Sequence, residues 1–326
     1  MKKTVIVLGT WSSGSGAISD YLSSRADFVN PFGTNEFKLI SDPMGLHHLY
    51  TNCYIKKDLL YPSLAFENFK NYIDKLKDYI VYSSPGVKKK LYDEHLIKET
   101  KNFLQKITFI SYYGFPHFKD VTLNLEKKIQ LKLKRKLLKK NLVDQKLFKI
   151  IVPVEKKVFL KEAKKYINNV INHKVKFSKK HIVLNNGGDI LDPVNSTNYY
   201  NNSKIICVTR DPRDIFCGMK TRQANSTPWY DVNLFIKWYK FYFTGKKFKS
   251  ILNHPKILVI KFENFVNNFE KQNKRLCKFL GIEEKILLIN KFDINSSKKN
   301  IYKSKKYLNK KEQDLIKKKL KNYLQW

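Results

Sequence analysis

The sequence predicts an α/β protein with a central parallel sheet, helices on both faces and a mainly helical insertion after the first strand and its helix. Three observations predict this. Short apolar, β-branched runs at Thr4–Leu8, Lys204–Thr209 and Ile257–Ile260 have the length and composition of strands buried on both faces. A loop of small residues, Gly9–Gly16, joins the first run to the helix-forming stretch Ala17–Leu22. Stretches of helical spacing then alternate with the later runs, the signature of a layered sheet whose ligands bind at the C-terminal ends of its strands.

Each element has its own local reason. The opening Met-Lys-Lys-Thr-Val-Ile-Val-Leu stops being apolar at Gly9, too soon for a secretory signal, and reads as the first buried strand of a cytoplasmic protein. Residues 54–180 carry Lys-rich stretches with apolar residues at helical spacing, such as Leu131, Leu133, Leu137 and Leu138 within Gln130–Leu142. His181–Leu184 returns to strand character. Phe269–Leu280 reads as a helix closed by Gly281, and the last helix starts near Asn309, with Glu312 as its capping partner and Leu315, Ile316, Leu320 and Leu324 on one face. The aromatic stretch from Trp229 to Phe243 has partly helical spacing and reads as a helix packed on a core.

Composition bounds the function. The 326 residues, 42% of them hydrophobic, suffice for a large core and exclude a disordered chain. No apolar run reaches the roughly 18–20 residues of a membrane span. Four scattered cysteines form no disulfide framework, and the adjacent His47 and His48 are poor ligand spacing, so no metal site is expected. Lys+Arg outnumber Asp+Glu by 64 to 28, a net +36 that attracts anions and admits peripheral contact with an anionic membrane surface. All but six of the 64 basic residues are lysine. That pattern fits compositional bias better than a specific phosphate reader, which leans on arginine's fork. No nucleic-acid recognition motif accompanies the charge.

Two segments carry chemistry. In Leu8-Gly9-Thr10-Trp11-Ser12-Ser13-Gly14-Ser15-Gly16-Ala17, a strand, small-residue loop and helix N-terminus let backbone N–H groups converge on an anion. Gly9-x4-Gly14 fits the phosphate loop of nucleotide enzymes. Ser15 and Gly16, however, stand where Lys and Ser/Thr hold the β- and γ-phosphates, which argues against an ATP-using kinase or hydrolase. In Arg210-Asp211-Pro212-Arg213-Asp214, a buried strand ends on an arginine; Pro212 sets the turn, and Asp214 is placed to cap the next helix or to pair with Arg213.

Together these segments resemble the sulfotransferases that use 3′-phosphoadenosine 5′-phosphosulfate (PAPS). Trp11–Gly16 is similar to that family's phosphosulfate loop and Arg210–Asp214 to its 3′-phosphate segment. Ile260–Phe265 resembles its basic-aromatic-Glu strand end, Cys277–Gly281 its Phe-Leu-Gly helix end, and Ser297–Ile301 its late basic loop. The resemblance covers residues 1–45 and 181–326 and implies a P-loop-like three-layer fold. It also implies a single domain over 1–326, with residues 54–180 as the insertion over the acceptor site. As donor it implies PAPS, held by Ser12, Ser13, Gly14, Ser15, Gly16, Ala17, Arg210, Lys298 and Lys299, with no metal.

By the same resemblance, Glu36 is the base that deprotonates an acceptor hydroxyl on a saccharide or glycolipid, with His47, His48 and His117 as the other candidates. Two positions depart from the pattern. The family's basic loop residue falls on Ser12, and the serine that helps hold the 3′-phosphate falls on Gly218. Besides the kinase or hydrolase, the alternative is a catalytically weakened PAPS-fold protein that binds an anionic partner.

Overall fold

The computed structural model describes residues 2–56, 58–84, 87–138, 148–176, 178–243, 253–284 and 293–326. Among them nine strands occur in chain order: β1 (Thr4–Gly9), β2 (Phe28–Val29), β3 (Ile80–Ser84), β4 (Val87–Lys90), β5 (Thr108–Gly114), β6 (Phe148–Pro153), β7 (His181–Asn185), β8 (Ser203–Thr209) and β9 (Ile257–Lys261). The chain divides into two compact units, one of Met1–Ser41 with Ile167–Trp326 and one of Asp42–Tyr166.

The first unit is the α/β body. Its five-stranded sheet has the order β2-β7-β1-β8-β9, and every pair is parallel. Strand β1 lies in the middle, with Thr4 opposite Ile182 on one side and Ser203 on the other. The chain runs outward from it to β2 on one flank and through β8 to β9 on the other. The strand order therefore reverses at β1, the position beyond whose C-terminal end parallel α/β sheets hold their ligands. Val5, Val7, Ile206, Val208, Leu258 and Ile260 share one core with the helices Ser15–Ser24 and Phe269–Leu280. Ile6, Leu8, Ile205 and Cys207, which alternate with them, are also fully buried, so both faces of the sheet are covered.

Local signals account for the helix ends. Gly281 adopts φ 62° after Leu280, the left-handed cap that glycine takes most readily. Asn309 and Glu312 form a reciprocal capping box at the helix Lys310–Lys319, which buries Ile316. The helix stops before Leu324, so that residue leaves the predicted face; Leu320, just past its end, is buried. The aromatic helix Val232–Phe243 buries Phe235, Ile236, Tyr239 and Phe243, in agreement with a core role.

The second unit is mainly helical, with helices at Leu46–Tyr54, Tyr61–Lys77, Glu94–Lys106 and Leu125–Leu138 and the N-terminal part of Lys156–Lys174. It also holds two antiparallel ladders, β3 with β4 and β5 with β6. An aromatic cluster forms its core: Phe103 stacks on Tyr166 at 4.8 Å, and the Tyr166 hydroxyl lies 2.8 Å from Thr100 Oγ1. Of the stretch Gln130–Leu142, residues 139–142 lie outside the described residues. No described helix is long and apolar enough to cross a membrane.

Candidate functional site

The site is built in the first unit, where four of the five parallel strands end. At the end of β1 the chain turns back over Gly9. A Cβ there would meet the side chains of Ser13 and Ser15, so the tight loop requires glycine. Gly14, at φ 88°, is the N-cap of the helix Ser15–Ser24 and sits flat against the Phe262 ring, where any side chain would collide. The Ala17 N–H turns back to the Gly14 carbonyl at 3.1 Å, and the first turn carries the positive end of the helix dipole. The Thr10 and Ser13 hydroxyls are buried with no hydrogen-bond partner. The loop thus presents amides and two unpartnered hydroxyls, the chemistry of an anion cradle.

Strand β8 delivers Arg210 to this loop. Its Nη1 donates to the Ser12 carbonyl oxygen at 2.8 Å, its Nη2 donates to the Asn300 carbonyl, and the guanidinium lies over Phe262 at 5.1 Å. Arg210 is 6% exposed, and its Nε is buried without an acceptor. Arginine has five N–H donors. With two used on the carbonyls, three remain for an anion. Burial lowers the Arg210 pKa, an effect that Asp214 and Glu263 oppose. Through Asn300, Arg210 also joins the β1 loop to the end of the short helix Ile294–Lys298, where Lys298 and Lys299 are exposed.

The rest of the Arg-Asp-Pro segment is scaffolding. Asp211, not Asp214, caps the helix Pro212–Arg222, accepting from the Arg213 backbone N–H at 2.9 Å, and it pairs with the Arg213 guanidinium through Nε and Nη2. Asp214 instead accepts the backbone N–H groups of Tyr302 and Ser304, each at 2.9 Å. That anchors the chain just beyond Lys298 and Lys299. Its position three residues into the helix turns its carboxylate away from the cap and toward that segment.

Glu263, just after β9, accepts the Asp211 backbone N–H at 2.9 Å. Its other oxygen is buried without a partner, and burial raises its pKa to about 7, against the pull of Arg210 and of the Asp211 hydrogen bond. Between the ordinary value of 4.5 and about 7, the folded state therefore binds more protons than the unfolded one, so this group's contribution to stability falls as pH rises. We expect Glu263→Gln to flatten the decline in melting temperature across that range relative to the unmodified protein. Parallel melting curves against pH would show that Glu263 does not titrate there.

The opposite flank is set by β7. Asn186 follows it in the left-handed conformation, at φ 50°, which asparagine tolerates well. Its side-chain oxygen accepts the Gly9 N–H at 3.1 Å, and its Nδ2 donates to Glu36 Oε1 at 2.5 Å. Phe37, fully buried and stacked on Phe32, donates its backbone N–H to the Asn185 carbonyl at 2.8 Å. Glu36 is thereby tied two hydrogen bonds from the start of the anion loop. Lys38 Nζ lies 2.9 Å from its other oxygen, and both side chains are 43% exposed. Neither Asn185 nor Asn186 was singled out from the sequence. The available signal was a polar Asn-Asn-Gly-Gly run directly after a buried strand.

The two departures from the expected pattern meet in space. Ser12 adopts φ 59°, and its Oγ lies 2.6 Å from where a Cβ on Gly218 would stand. The Ser12 hydroxyl thus fills the place a side chain at 218 would need, so a serine there would displace it. His47, His48 and His117 belong to the second unit, whereas Glu36 belongs with the loop.

At one end of the parallel sheet, an amide-rich loop, a buried arginine and a tethered carboxylate are thus linked by hydrogen bonds. Residues 161–285, which include Arg210 and Glu263 but not the β1 loop, match the model of the sulfotransferase family. That match takes in 125 of the 326 residues, less than half of the chain. Among solved structures, the chain is similar to the sulfotransferase STF1 of Mycobacterium tuberculosis H37Rv, with 10% identity over 99% of this chain and 77% of that one and a TM-score of 0.41. It is similar also to a retinol dehydratase solved with androsterone and PAP, with 12% identity over 99% and 80% and a TM-score of 0.37. Mouse SULT7A1 in complex with PAP shares 16% identity over 48% of this chain and 71% of that one, with a TM-score of 0.30. Among curated proteins none is detectably related in sequence.

Proposed function

We propose that this protein is a cytoplasmic sulfotransferase that moves a sulfuryl group from PAPS to a saccharide hydroxyl of a surface polysaccharide, lipopolysaccharide or glycolipid. The observation that carries the reading is the direct bond from the Arg210 guanidinium to the Ser12 carbonyl, which brings the two anion-binding segments into one site. The residues fit a doubly phosphorylated nucleotide on their own chemistry. Ser12, Ser13, Gly14, Ser15, Gly16 and Ala17 form the cradle for the 5′ end, with the unpartnered hydroxyls of Thr10 and Ser13 as further donors. Arg210, with Lys298 and Lys299, supplies charge for the 3′-phosphate, whose binding gives the orphaned Nε an acceptor.

PAPS, when bound, supplies an electrophilic sulfur and a leaving group, adenosine 3′,5′-bisphosphate. Glu36 takes the proton from the acceptor hydroxyl as its oxygen bonds to sulfur. Asn186 holds the Glu36 carboxylate by one oxygen and leaves the other to Lys38. With Ser12 in place of the loop cation, leaving-group charge is stabilised by the amides of the helix N-terminus rather than by a loop side chain. The saccharide acceptor rests on Glu36 and the family resemblance.

Calorimetry separates this reading from a kinase or hydrolase. We expect adenosine 3′,5′-bisphosphate to bind at least about tenfold more tightly than ATP with Mg²⁺, because the loop lacks the lysine that grips β- and γ-phosphates. A preference for ATP would overturn the assignment. Sulfate transfer to glycan acceptors separates an enzyme from a binder. Absence of turnover alongside bisphosphate binding would favour the weakened-binder alternative.

A further inference from the structure

The helix Leu125–Leu138 in the second unit has no place in the chemistry above, and its exposure is unusual for a helix of this composition. Leu125, Ile129, Leu133 and Leu137 recur at every fourth position and are 74%, 49%, 50% and 75% exposed. At 100° per residue they form one stripe winding across about 120° of a helix about 21 Å long. Around the stripe lie six cations, Lys127, Lys128, Lys132, Lys134, Arg135 and Lys136, against the single carboxylate of Glu126. In the same unit, β5 adds Phe109 at 70% exposure and Ile110 at 48%. A soluble protein seldom leaves so much aliphatic and aromatic surface in water without a partner for it.

We infer that this helix is a membrane-surface anchor whose partner is an anionic lipid bilayer, in which it lies in the headgroup plane. Charge and apolarity together select that occupant. A bilayer interface accepts the aliphatic stripe into its acyl boundary while anionic headgroups meet the lysines, whose long stems reach outward from the buried face. A nucleic acid would match the cations and leave Leu125 and Leu137 in water. A second copy docked along the same helix would set six cations against six others. The inference does not depend on the proposed activity.

The test is co-flotation of the full chain with phosphatidylcholine vesicles made with or without phosphatidylglycerol. We expect at least about tenfold stronger binding to the anionic vesicles, weakened by added salt. The double variant Ile129→Asp/Leu133→Asp should lose at least about tenfold of that binding, with circular dichroism and bisphosphate affinity unchanged. The pair Lys132→Gln/Lys136→Gln, which keeps the stripe, should reduce both the binding and its salt dependence. Equal binding to both vesicle types, or full binding by the Asp variant, would overturn the anchor. So would a dimer in solution that the Asp variant dissolves, or retention on duplex DNA in place of vesicles.

Discussion

Arg210→Ala is expected to weaken adenosine 3′,5′-bisphosphate binding by at least about tenfold and to lower the melting temperature as well. The affinity effect follows from charge-assisted hydrogen bonds, each contributing roughly 1.5–3 kcal/mol when a buried partner is removed. The stability effect has a separate origin. Arg210 satisfies the Ser12 and Asn300 carbonyls and interacts favourably with the charges of Asp214 and Glu263, so alanine leaves two acceptors unpaired and removes that attraction. Arg210→Lys separates the two. A lysine keeps the charge beside the carboxylates but cannot span both carbonyls and still offer a planar fork to a phosphate. We expect the lysine variant to recover most of the melting temperature and only part of the affinity. Calorimetry with the bisphosphate on both variants decides it. Alanine-variant affinity equal to that of the unmodified protein would remove Arg210 from the nucleotide site and leave it a purely structural clamp.

The elements that position Arg210 were legible in the sequence because each carries a strong local signal. Strands β1, β8 and β9 are short β-branched runs, and their buried alternation on both faces leaves no other reading. Gly281 and the Asn309–Glu312 pair mark helix boundaries by backbone chemistry confined to a few residues. Strand β2, with two residues, is too short for any periodicity, and only its pairing with His181 and Ile182 makes it a strand. Strands β5 and β6 of the second unit lie between Lys-rich stretches of helical spacing, and their short apolar runs are lost among them.

Local sequence places the loop and Arg210 at the ends of strands but cannot assign contacts made over long separations. The sequence offers Asp214 as helix cap or as partner of Arg213; in the fold, Asp211 takes both roles and Asp214 ties down Tyr302 and Ser304. Asn186 acquires its role from Gly9 and Glu36, 177 and 150 residues away in the chain. Ser12 and Gly218 each look like a lost function when read alone. Side by side they are one exchange of volume between a loop and a helix.

Glu36→Gln should retain bisphosphate affinity within about threefold while sulfuryl transfer falls by about 10²–10⁴, the usual range for loss of a positioned general base. The amide is nearly isosteric, and its oxygen can still accept from Asn186, so the chain around Phe37 keeps its bond to Asn185 and the loop keeps its shape. What is lost is the proton acceptor and the anionic partner of Lys38. Asn186→Ala probes the same carboxylate from behind. It removes the tether between Glu36 and Gly9 without touching the acidic group, so we expect a smaller fall in kcat, with the KM for acceptor changed less than kcat. The conservative Asn186→Asp variant sharpens this. It can still accept from the Gly9 N–H but presents a carboxylate to Glu36, so repulsion should push the base out of position and give a larger loss than alanine. If Glu36→Gln is fully active, the base is another residue and the Asn186 variants should leave the rate unchanged. If Glu36→Gln is inactive but Asn186→Asp equals the unmodified protein, Glu36 acts without its tether and the bridge serves only to close the loop.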